Sequence, residues 1–137
     1  MSDIRRILTE TRVIAVLWAN PRESAPAFYV PAYLAQRGYR VYPIHPAPMH
    51  ADRVLWGQPM LPTLADVPEP IDLIDVFRFP QALPRHIPEI LGLEPLPKVV
   101  WFQQGIVNNS VAGVLRVAGI EVIQDRCTLA DHRMLGL

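Results

Sequence analysis

The residues with the most chemical potential stand where apolar runs stop. Val13-Ile14-Ala15-Val16-Leu17 runs straight into Trp18, Ala19, Asn20, Pro21, Arg22, Glu23 and Ser24. A strand, a polar turn and a helix in that order make an anion site, because free N–H groups and the helix dipole favour negative charge. Arg22 adds a local positive charge, and Asn20 and Ser24 offer donors. The same two side chains also suit turns that bond their own backbone. Trp18 occupies the point where a phosphate would come nearest the main chain. It either stacks on a ligand or caps the core and closes the site.

A second group, Ile44-His45-Pro46-Ala47-Pro48, follows the next apolar run. Dinucleotide sites usually place Asp or Glu there to hold ribose hydroxyls. No carboxylate appears before Asp52, and the G-x-G-x-x-G pattern is absent, so a redox dinucleotide is disfavoured. Ile44 and Pro46 instead offer an apolar shelf for an adenine ring, with His45 in reach of a ribose or phosphate. Phe77 and Arg78 end a third run, which puts Arg78 at the ligand-facing end of a buried strand. An Arg78–Asp75 pair is disfavoured, since residues three apart on a strand point to opposite faces.

The last group, Asp125-Arg126-Cys127-Thr128-Leu129-Ala130-Asp131-His132, holds a thiol, an imidazole and carboxylates. A nucleophilic cysteine needs a base within hydrogen-bond reach, and nearness in sequence does not provide one. An isolated cysteine is commonly a small buried hydrophobe. The structural alternative has Asp125 and Arg126 ending a strand while a short polar tail folds back on the domain. His45, His50, His86 and His132 show no metal-site spacing.

The elements that must position these groups alternate at close intervals. The pattern predicts a helix over 2–10, strands at Arg12–Leu17, Tyr39–Ile44, Ile71–Phe77, Lys98–Gln103 and Ile120–Gln124, and a short strand near Gln58–Leu61. Helices are expected over Phe28–Arg37, closed by Gly38 and carrying Pro31 in its first turn, and over Asn109–Ala118, ending at Gly119. Pro80–Leu91 reads as a bent or broken helix, and Thr63-Leu64-Ala65-Asp66 as a capped turn. Solid apolar strands alternating with helices indicate an α/β fold. The expected architecture is a Rossmann-like three-layer domain, 1–137, with a mostly parallel sheet of five or six strands and helices on both faces. In such a sheet ligands sit beyond the carboxyl ends of the strands, where strand order switches. Trp18–Pro26, His45–Pro48, Phe77–Pro80 and Gln103–Asn108 should converge there.

Composition narrows the function classes. The chain has 137 residues, half of them apolar, and 13 basic against 13 acidic side chains. Such a balance creates no field for nucleic acid or an anionic membrane. No apolar run approaches a membrane span, and the N-terminus lacks a signal-peptide pattern, so a cytoplasmic protein is expected. One cysteine excludes an intrachain disulfide, and the 15 prolines fall mostly after strands and at helix starts.

Four blocks in order, IAVLWANPRESAPAFYVPAYLAQRGYRVYPIHP, LADVPEPIDLIDVFRFP, VVWFQQGIVN and AGIEVIQDRCTLADH, resemble the stand-alone CoA-binding domain family. These domains are similar to the N-terminal domain of the succinyl-CoA synthetase alpha subunit. The resemblance spans about Arg12 to His132. It implies a domain that binds coenzyme A or an acyl-CoA without transforming it. The diphosphate would lie on Trp18–Ser24 and the next helix, the adenine end near Ile44-His45-Pro46, and the pantetheine arm along Phe77-Arg78. The family commonly has Gly at Trp18 and Asn at His45. Asp131 stands for the usual Glu in its D-R-C…H hallmark. The ligase's phosphohistidine and partner domain have no counterpart, so ligase activity is not carried over. The expectation is therefore a non-enzymatic coenzyme A binder. The alternative is a degenerate Rossmann scaffold, blocked by Trp18 and acting through protein contacts such as a homodimer. An enzyme built on Cys127 and His132 is the third reading.

Overall fold

The computed structural model describes residues 2–137. Its centre is a five-stranded parallel sheet, β1 (Val13–Leu17), β2 (Arg40–Ile44), β5 (Leu73–Val76), β6 (Val99–Phe102) and β7 (Glu121–Ile123), in the order β2-β1-β5-β6-β7. The chain moves outward from β1 to β2 and then returns across β1 to β5, so strand order switches between β1 and β5. All five residues of β1 are buried, as a strand covered on both faces requires. Alternation divides them: Val13, Ala15 and Leu17 join one core, Ile14 and Val16 the other.

One face carries α3 (Ile87–Leu91) and α4 (Asn109–Val117), whose Ile90, Val111, Ala112 and Leu115 enter the first core. The opposite face carries α1 (Ile4–Glu10), α2 (Pro26–Gln36) and α5 (Thr128–Met134), with Ile7, Leu8 and Leu34 in the second core. A small antiparallel hairpin, β3 (Val54–Leu55) and β4 (Gln58–Pro59), joins that second core through Leu55 and Met60. Its turn residues Trp56 and Gly57 have φ of +54° and +81°. Paired positive φ values match the twist of a tight hairpin.

Two local expectations change, Pro31 and the C-terminal tail, and the expected break in Pro80–Leu91 is resolved. Pro31 lies inside α2, because the helix begins at Pro26. Its missing N–H frees the carbonyl of Ala27, which instead accepts from Asn20 N–H at 3.4 Å. The broken Pro80–Leu91 segment resolves into a 3₁₀ stretch, Pro80–His86, followed by α3. The C-terminal tail is a helix, α5, which buries Thr128, Asp131 and His132. Two contacts make that burial tolerable. Arg126 donates twice to the Asp131 carboxylate, at 2.8 Å each, and His132 Nδ1 meets Tyr33 Oη at 2.9 Å. Capped turns form where expected: Thr63 and Asp66 make a reciprocal capping box, and Gly119 takes φ +95° after α4.

Candidate functional site

At the switch between β1 and β5, on the α2/α5 face, the chain leaves a cleft of about 580 Å³. Its walls come from the β1–α2 turn (Asn20, Ala25), the start of α2 (Pro26, Ala27, Val30), the end of β5 (Phe77) and the end of β6 (Gln103, Ile106). Cys127 and Leu129 complete it from the start of α5. Most of this lining is apolar, with a few polar groups, as small-molecule sites usually are. Another cleft, about 370 Å³, lies between Leu64–Ile71 and Gly92–Pro95 at the amino ends of β5 and β6, away from the switch point.

The turn after β1 uses most of its own donors. Trp18 and Ala19 N–H both bond the Ile44 carbonyl, at 2.9 and 3.1 Å. Asn20 Oδ1 accepts from Arg22 N–H at 2.9 Å, so Asn20 is a turn former. Among the described residues, the N–H groups of Glu23, Ser24 and Ala27 have no protein partner. They sit around the first turn of α2, whose N-cap Ala25 makes no side-chain cap bond. Arg22 and Ser24 are exposed beside them, and Arg22 forms no ion pair among the described residues.

Trp18 has φ +74°, the left-handed conformation that glycine adopts freely. Its indole turns toward the first core, away from the cleft. There the Arg78 guanidinium lies 3.7 Å from the ring centroid, with His45 at 4.3 Å and His86 at 5.6 Å. Arg78 Nη1–H donates to His86 Nε2 at 2.5 Å, leaving His86 Nδ1 toward Glu89 at 3.3 Å. His45 Nδ1 accepts from Ala47 N–H at 3.1 Å and so needs no proton there. Burial, followed by the charges of His50 and Arg78, holds the His45 pKa below its usual value. Desolvation likewise lowers that of Arg78.

The anticipated site residues therefore separate. Asn20 and Phe77 line the cleft, Arg22 and Ser24 are exposed on the turn between its lining residues Asn20 and Ala25, and Trp18, His45 and Arg78 form one packed stack. Ala19 and Ile44 are each 1% exposed, so Pro46 is the exposed member of the apolar shelf. Asp75 and Arg78 do lie on opposite faces. Cys127 lines the cleft, whereas His132 is held by Tyr33.

Beneath the cleft lies a polar cluster to which the sequence reading gave no role. Asp75 is fully buried in β5, in register with Val16 and Trp101. Gln103 Nε2 donates to its Oδ1 at 2.6 Å and Thr128 Oγ1 to its Oδ2 at 3.1 Å. Loss of water dominates over these two bonds, and the Asp75 pKa is pushed up to about 7. The signal in the sequence was Asp75 itself, since a carboxyl inside a solid apolar strand demands partners.

Residues 12–133 match the family model described as CoA binding domain. The chain is 31% identical over 131 residues to YneT of Bacillus subtilis (strain 168), covering 96% of this chain and 93% of that one. It is similar in structure to the cell-free ID.343 protein of Thermus thermophilus. That match has 42% identity, a TM-score of 0.91, and coverage of 98% of this chain and 99% of that one. A hypothetical protein from Pyrococcus horikoshii OT3 matches at 30% identity and TM-score 0.88, covering 98% of this chain and 91% of that one.

Proposed function

The chain belongs to the CoA-binding domain family, and from that premise we propose that it binds coenzyme A or an acyl-CoA without transforming it. The observation that carries this reading is the cleft of about 580 Å³ at the switch between β1 and β5. The diphosphate would meet the unpartnered N–H groups of Glu23, Ser24 and Ala27, with Arg22 as its cation. Pro46 and the edge of His45 would face the adenine end. The pantetheine arm would run past Phe77 into the cleft. Arg78, engaged with Trp18 and His86 on the other face of the sheet, would make no contact with the ligand and would serve that stack instead.

A specific observation also favours the blocked-scaffold reading: the N–H groups of Trp18 and Ala19 are already taken by Ile44. Calorimetry with coenzyme A separates the two, with tryptophan fluorescence as a second readout. The binding reading expects one ligand per chain and a changed emission. No heat and no spectral change at millimolar coenzyme A would overturn it. The same titration under conditions permitting turnover, followed by recovery of unchanged ligand, tests the non-catalytic part.

A further inference from the structure

Among the described residues, Gln103 is the only nearly buried polar side chain on the cleft wall, at 5% exposure. Both hydrogens of its amide nitrogen are committed: one to Asp75 Oδ1 at 2.6 Å, the other to Thr128 Oγ1 at 2.8 Å. Thr128 in turn donates to Asp75 Oδ2, so the three side chains close a ring. This arrangement fixes which way the amide faces. Its nitrogen points inward and Oε1 is left over, with no donor among the described residues. Among the described residues, Trp56 Nε1 is the side-chain N or O sealed from solvent without a partner; Gln103 Oε1 is not sealed, and Gln103 lines the cleft, the side to which its free carbonyl is therefore assigned.

An outward carbonyl oxygen selects its neighbour. It repels phosphate, which presents acceptors only, and it is served poorly by a thiol, a weak donor. An amide N–H is the matching group, and the surrounding apolar walls suit an extended chain. We propose that Gln103 is a specificity-determining residue that accepts an amide N–H of the pantetheine arm, with Asp75 and Thr128 positioning it. This rests on the coenzyme A reading above and deepens it: the arm, not the diphosphate, occupies the β6 side of the cleft.

The test compares coenzyme A with phosphoadenosine diphosphate, its nucleotide half without the arm, by calorimetry on the full chain at pH 8. Gln103→Met should weaken coenzyme A about tenfold and leave the nucleotide half unchanged, as the loss of one hydrogen bond in a dry site implies. Thr128→Val should do the same more weakly, and Thr128→Ser should restore binding. Equal losses for both ligands, or no loss for coenzyme A, would overturn the inference. Should Gln103→Met not fold, the question passes to the ligand. Coenzyme A analogues with either pantetheine amide N–H replaced by an ester oxygen are titrated against wild-type protein. One analogue should lose about tenfold, and two unweakened analogues would overturn the proposal. Wild-type protein that takes up the nucleotide half but gains nothing from the arm also overturns it. Uptake of neither ligand instead sinks the coenzyme A reading itself.

Discussion

On the α2/α5 face the carboxyl end of the sheet leaves an open cleft; on the α3/α4 face it leaves a filled one. Strand alternation distributes the parts. Asp75 and Phe77 go to the open side, Val76 and Arg78 to the filled side. Each side handles a charge differently. Arg78 stays a cation, spread over the Trp18 ring and bonded to His86. Asp75 has no counter-ion and is satisfied by two neutral donors, so burial favours its proton. The filled side spends its polar groups on one another, whereas the open side keeps an amide oxygen for a visitor.

The sharpest way to break this contrast is to remove the titration of Asp75. Its folded pKa of about 7 lies above the ordinary 3.8, so between those values the native state holds a proton that the unfolded chain has released. Stability therefore falls as pH rises through that window, by up to about 4 kcal/mol if the whole shift is realised. No charged side chain from α2, α5, β1 or β6 hydrogen-bonds Asp75; Arg126 pairs with Asp131, and His132 with Tyr33. Asp75→Asn should flatten the slope measured by urea unfolding between pH 5 and pH 8. Identical slopes in both proteins would mean that the carboxyl is not held neutral, and the contrast would fail.

How legible was all this beforehand? Solid apolar strands such as Val13–Leu17 announce a parallel sheet because both faces must be covered. Gly38 and Gly119 announce helix ends because only glycine takes positive φ freely. Features that depend on distant partners were not legible. Pro31 is tolerated inside α2 because Asn20 reaches the orphaned carbonyl of Ala27. The polar stretch after Cys127 becomes a half-buried helix because Tyr33, on another helix, receives His132. At the site, the turn and the loops beyond β5 and β6 were placed correctly in the fold. Local sequence, however, does not say which side of a strand faces space. In sequence Trp18 suits either stacking on a ligand or capping the core, Phe77 is expected along the ligand, and alternation into two cores sends them apart.

A second, smaller effect sharpens the separation of the two sides. Trp18→Gly should relieve the left-handed backbone at φ +74°, worth about 1 kcal/mol. It also removes an indole packed on His45, Arg78 and His86, which costs about 3 kcal/mol for a large side chain. A net loss near 2 kcal/mol is expected in urea unfolding, with coenzyme A affinity unchanged because the indole lies outside the cleft. Should the variant bind and the wild type not, the stack would be a plug after all, and the two sides would be one site.

The smallest expected effect probes the stack alone. His45 is shifted down by burial first, then by His50 and Arg78, so its folded pKa lies below the ordinary 6.5. As pH falls past 6.5 the unfolded chain takes up the proton first, and the native state loses stability until His45 itself is protonated. Solvent reaches part of the ring and screens it, so the loss should be the smallest of the three effects. His45→Asn should remove this acid-side loss while leaving the Asp75 slope above pH 5 intact. Unfolding curves at pH 5 and pH 7 on the single variant and on His45→Asn combined with Asp75→Asn make the check. Additive changes mean that the two faces titrate independently, as groups in separate cores should. A coupling beyond about 0.5 kcal/mol would join the stack to the cleft across β5.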